Sequence, residues 1–111
     1  MLRTDLWAAA FIRRHNDIGN MCVVVRRGDP IAGQVFIEVD HLNGTVSLYA
    51  PAAAALRGDS ADHLFQRRLS RVEPERVRER LAREADFDPD LWVISLEMRG
   101  DDPGVTVLDP A

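Results

Sequence analysis

The chain has 111 residues, 46% of them hydrophobic, and a formal charge of −4. That suits one domain with a modest core and argues against a dedicated nucleic-acid binder, which carries a strong basic excess. A single cysteine, Cys22, excludes an internal disulfide framework.

In chain order, Thr4 or Asp5 can cap a first helix running to about Asn16, with Trp7, Ala10, Phe11 and the stem of Arg14 on one face and Leu6 beside it. Gly19 can end that helix in a left-handed conformation. Its apolar stretch, Leu6 to Ile12, follows Asp5 and stops at Arg13-Arg14, too short for a secretory leader. No stretch approaches the roughly 20 apolar residues of a membrane span, so the cytoplasm is the expected compartment. From Met21 to Pro51 three β-rich stretches alternate with two turn signals, predicting an antiparallel meander. The wholly apolar Val23-Val24-Val25 predicts a central strand, and Cys22 beside it a buried structural thiol. Gly28 to Gly33 reads as a turn, Val35 to Val39 as an alternating strand with Phe36 under a helix, and Asn43-Gly44 as a hairpin leading into Val46, Leu48 and Ala50. Residues 51–62 read as an Ala-rich surface loop, and Leu64 to Leu69 as a fourth strand, with a helix as the alternative. Pro74 suits the first position of a second helix whose Val77, Leu81 and Ala85 form a narrow apolar stripe. Asp88-Pro89-Asp90 ends it, and Leu91 to Met98 is a last strand.

The predicted fold is α+β, with a mainly antiparallel sheet of four to five strands and two helices on one face, in the order α-β-β-β-β-α-β. Residues 1–100 form the expected single domain, and 101–111, with Pro103 and Pro110, a surface-lying or disordered tail.

Two segments together carry a resemblance. They are Val25-Arg26-Arg27-Gly28-Asp29-Pro30-Ile31-Ala32-Gly33, followed by an apolar strand, and Phe87-Asp88-Pro89-Asp90-Leu91-Trp92-Val93. With the early Trp7 and the Arg13-Arg14 pair, the chain resembles a family of short alphaproteobacterial proteins, domain-of-unknown-function family number fourteen ninety-one. The resemblance covers nearly the whole chain. It implies a single domain and brings no activity with it.

The same segments hold the candidate ligand-binding residues Arg26, Arg27, Asp29, Asp88, Asp90 and Trp92. Two guanidiniums beside a Gly-rich turn can hold a phosphate or carboxylate. The plainer reading is a turn whose Asp29 satisfies backbone amides and whose arginines pair locally. Asp86, Asp88, Asp90 and Glu97 match part of a calcium loop, but Leu91 stands where that loop needs glycine and a strand follows. An Asp-Pro turn capping amides accounts for the pattern.

His15, His41 and His63 lack zinc-site spacing, although His63 with Asp59 and Asp62 can be assembled across a fold. Ser60, Asp62 and His63 are triad residue types too close in sequence to converge. No metal, cofactor or catalytic residue is expected. The arginines are fourteen of fourteen basic residues, read as coding bias before selection for the guanidinium. From Arg67 to Arg83 they interleave with Glu73, Glu75 and Glu79, as on a solvated, self-paired face. Trp7 and Trp92 read as core or subunit-interface anchors.

The leading functional reading is a non-enzymatic binding or protein-interaction module that self-associates as a homodimer, using the Arg26–Gly33 turn and the Asp86–Trp92 segment. The alternatives are an enzyme or sensor for a small anionic ligand, with Arg27 as clamp, and a nucleic-acid accessory protein.

Overall fold

The computed structural model describes residues 2–58 and 62–108. Asp59 and Ser60, which entered two of the candidate sites, and Pro110 lie outside them. The elements are α1 (Thr4–Asp17), β1 (Cys22–Arg26), β2 (Val35–Asp40), β3 (Val46–Pro51), α2 (Ala54–Arg57), β4 (Phe65–Val72), α3 (Pro74–Phe87) and β5 (Trp92–Glu97). Among the described residues no helix is long and apolar enough to cross a membrane.

The fold is α+β, as the pattern predicted, with α2 an additional single turn in the Ala-rich stretch. The sheet has the order β1-β5-β2-β3-β4. Three pairings are antiparallel and one, β2 with β5, is parallel, so the sheet is mixed. The meander is therefore β2-β3-β4. The predicted hairpin between β1 and β2 is split, because β5 lies between its two arms. β1 is an edge strand, not a central one. Cys22 faces the core, Val24 packs against it, and Val23 and Val25 are exposed. An unbroken valine run looks buried on both faces, but here one of them meets solvent.

The two long helices cover opposite faces. On one, Ala8 and Phe11 of α1 pack with Ile37, Val39, Ile94 and Leu96. On the other, Val77 of α3 packs with Phe36, Leu48, Leu91 and Val93. The strand period makes this unavoidable, since Phe36 and Ile37 point to opposite sides and both are buried. The buried face of α1 is Thr4, Ala8, Phe11 and His15, whereas Ala10, Arg14 and Leu6 are exposed.

Polar residues replace the expected apolar ones on α1 because each has partners. Thr4 Oγ1 donates to the Gly33 carbonyl at 2.9 Å. His15 Nε2–H donates to the Pro103 carbonyl at 2.7 Å while Nδ1 accepts from Asn20. The helix ends as expected at Gly19, whose φ is +92°. Gly19 N–H bonds to Asn16 O and Asn20 N–H to His15 O, a Schellman arrangement.

Both sheet edges are guarded against strand addition. On β1 the Asn16 side chain takes both backbone groups of Cys22, and a bulge at Val25 interrupts the ladder. On β4 the chain near its C-terminal end runs alongside, with Leu108 N–H bonded to Phe65 O at 2.7 Å. Pro103 is buried, and the Tyr49 hydroxyl donates to Asp101 O.

Because β5 enters between β1 and β2, the loop of residues 27–34 bridges about 10 Å and must leave room for another backbone. Gly28 and Gly33 provide it. A Cβ on Gly28 would lie 2.6 Å from Leu91 C and O and closer still to Asp90 O. On Gly33 it would lie 2.7 Å from both Asp29 O and Trp92 Cδ1. Gly28→Ala is expected to lose about 3 kcal/mol and roughly 12 °C of Tm. Gly100→Ala, where nothing lies within 4 Å, is expected to stay within about 0.5 kcal/mol. Equal midpoints by calorimetry would refute this role of the loop.

Candidate functional site

All six residues singled out in the sequence come together where the loop of residues 27–34 meets the start of β5. Asp29 N–H donates to Asp90 O at 2.9 Å and Trp92 N–H to Gln34 O at 2.8 Å. The Trp92 indole N–H reaches Asp29 O at 2.7 Å. Arg26 Nη2 donates to Pro89 O at 2.9 Å, and the Arg27 guanidinium lies 4.9 Å above the Trp92 ring. The Asp29 carboxylate accepts from Ile31 and Ala32 N–H, and that of Asp88 from Asp90 N–H. The same loop starts α1, since Asp5 N–H donates to Pro30 O and Thr4 N–H to Ile31 O. Those helix amides would otherwise lack partners, and loop carbonyls replace the side-chain cap expected of Thr4 or Asp5.

The constellation is therefore a clasp whose polar groups already serve one another. Arg26 and Asp29, read as anion ligands, are engaged with backbone, and Arg27 lies over an aromatic face. The partial calcium pattern also dissolves, because β5 carries Glu97 about 20 Å from Asp90.

Beside the clasp, α3 lies over β3 and β4 and leaves the same face of β1 open, while Val93 of β5 stays buried. A groove of about 850 Å³ results, lined by Val25, Arg26, Glu38, Arg78, Leu81 and Val93 among others. Sequence reading missed Glu38, although an acid in an alternating strand beside Phe36 was its signal. Burial pushes its carboxyl up, against the hydrogen bond from Ser95 and the charge of Arg78, while Asp40 adds to the rise.

A second concavity, of about 110 Å³, lies between the first turn of α1, the segment Gly33–Val35 and Phe65, and is lined also by Arg57, Asp62 and His63. Among the described residues, the buried atoms Arg57 Nε and His63 Nε2 have no hydrogen-bond partner. The other two histidines are fully matched. His15 is described above, and His41 Nδ1–H donates to Met98 O while Nε2 accepts from the Ser47 hydroxyl. His63 stacks on Trp7 with centroids 4.8 Å apart. Nothing in the sequence marks Arg57, an isolated cation in an Ala-rich stretch.

Cys22 is buried as expected, and burial pushes its thiol up to about 11. At about pH 8 only about one molecule in a thousand carries the thiolate. The folded protein is therefore expected to resist disulfide-exchange reagents until denatured, whereas prompt labelling of the native state would contradict that burial. For Glu38 the raised carboxyl means that the native state binds more protons than the unfolded chain between the two titrations. Stability therefore falls as pH rises through that window. Glu38→Gln is expected to raise Tm at about pH 7 and to lose the advantage near pH 4; a lower Tm at neutral pH would overturn this.

The chain belongs to the family described as protein of unknown function (DUF1491), whose model matches residues 2–105. The solution structure of an A. tumefaciens protein is similar at a TM-score of 0.85 and 32% identity, covering 99% of this chain and 97% of that one. A crystal structure of a DUF1491 family protein from Caulobacter crescentus gives 0.78 and 31%, covering 96% and 98%. An NMR structure of a DUF1491 family protein from that organism gives 0.76 and 35%, covering 97% of each chain. None of the curated proteins matches the chain.

Proposed function

We propose that this chain is a non-enzymatic, cytoplasmic protein-interaction module that self-associates through the half of the sheet α3 leaves open. One observation carries the reading. Val25, 59% exposed on β1, lines a groove that also holds the half-buried Leu81, and Val23 on the same strand is 49% exposed. Contiguous apolar surface of this kind marks interaction sites in small proteins. The clasp closes one end of the groove through Arg26 and Leu91, which joins the two segments singled out in the sequence to the same surface.

The chemistry of the groove favours a second copy. It carries both signs, Arg26 and Arg78 with Glu38 and Asp40, so two faces related by a two-fold axis can oppose unlike charges. Since Asn16 and the Val25 bulge obstruct the β1 edge, pairing would be face to face rather than by strand addition. Arg78 and Arg80 are paired with Glu75 and Glu84 at 2.6 and 2.9 Å, which speaks against a phosphate-binding helix face.

Sedimentation equilibrium up to about 100 μM tests the reading. A reversible dimer is expected for the native chain and a monomer for Val25→Glu with unchanged circular dichroism. A native chain that stays monomeric, or a Val25→Glu variant that still dimerises, would refute it.

A further inference from the structure

We propose that the cavity lined by Thr4, Arg57 and His63 binds the inorganic hydrogen phosphate ion. This site is separate from the self-association surface and stands or falls without it.

The two orphan atoms specify the chemistry. Leaving a buried donor or acceptor unmatched costs about 1–3 kcal/mol, and folded proteins carry few such groups. Here two of them line one cavity. The His63 ring donates to the Leu2 backbone. As Nε2 is the unpartnered nitrogen, that proton sits on Nδ1 and Nε2 presents a lone pair. Burial pulls the imidazole down, with the Leu2 bond and the Asp62 charge opposing, and so favours the neutral ring. Arg57 Nε–H is a permanent donor. An occupant must therefore offer an acceptor to Arg57 and an O–H to His63, and negative charge beside the guanidinium favours an anion. Hydrogen phosphate meets all three demands, whereas sulfate and ionised carboxylates lack the O–H.

Size and surroundings agree. A volume of about 110 Å³ is well below that of a drug-sized pocket and suits one small oxyanion. Of the groups facing His63, Asp62 is the acid and Arg57 the base, Trp7 covers the ring, and the Thr4 hydroxyl is engaged with Gly33 O.

The test is titration of the full chain with inorganic phosphate, and separately with sulfate, at about pH 7.5, following the His63 imidazole by NMR. Saturable shifts are expected with phosphate, and binding at least about tenfold weaker with sulfate. At a pH low enough to protonate His63, below the usual imidazole range, the ring becomes a donor and sulfate is expected to bind as well. Arg57→Gln is expected to weaken phosphate about tenfold or more with the remaining spectrum unchanged, and His63→Phe, which keeps a ring on Trp7, to remove the preference over sulfate. Glycerol phosphate, whose ester phosphate is mostly the dianion without an O–H at about pH 7.5, is expected to bind at least about tenfold more weakly than inorganic phosphate; equal affinity would overturn the O–H requirement. A His63 signal unmoved by phosphate, as in a cavity that holds water alone, would overturn the proposal. So would equal binding of the two anions at neutral pH.

Discussion

The hydrogen bond from the Trp92 indole to the Asp29 carbonyl stands at the point on which the remaining architecture depends. β1 and β2 are neighbours in sequence but not in the sheet, and β5 fills the slot between them as the last strand in the chain. That insertion requires a loop wide enough to straddle a foreign strand and narrow enough to hold it. Two glycines admit the backbone of Asp90 and Leu91, while Arg26, Asp29 and Gln34 bind it. The same loop supplies the carbonyls that satisfy the first amides of α1. One eight-residue segment thus fixes the parallel pairing, the position of the N-terminal helix and the burial of the largest side chain in the core. Its polar groups work inward, bonding to the backbone they hold.

The locally encoded parts of this fold were legible. Asn43-Gly44 marks the β2–β3 hairpin, Pro74 with the Val77, Leu81 and Ala85 stripe marks α3, and Gly19 ends α1. What escaped was long-range. An antiparallel run with a turn looks the same whether its arms touch or stand one strand apart, so β1 was read as central when it is an edge. Two buried helix faces were read as one because periodicity records that a side chain is buried and not beneath which element. The two unusual segments were recognisable as a pair, but only the crossing of β5 shows that each is the other's partner. Glu38 was visible as an acid in an alternating strand, while Arg57 and His63 meet through tertiary contact alone.

The surface follows from the same geometry. Edges are guarded at Cys22 by Asn16, at Val25 by a bulge and at Phe65 by residues 106–108, which obstructs strand addition at those points. Faces are treated unequally. α1 packs against one, whereas α3 reaches only part of the other and leaves valines beside mixed charge. The phosphate proposal concerns a third place, beside the first turn of α1, where His63 and Arg57 line one small cavity and carry unpartnered buried nitrogens. Self-association and phosphate binding therefore draw on different residues and can be separated by substitution.

Native-state hydrogen exchange at the Trp92 indole N–H tests the central claim most directly. If the clasp holds β5 in the sheet, this proton escapes only when the whole domain opens. Its exchange should then report the same free energy as the slowest core amides of Ile37 and Ile94. An indole proton that exchanges far faster, while those amides stay protected, would show that the loop closes over a sheet already complete without it.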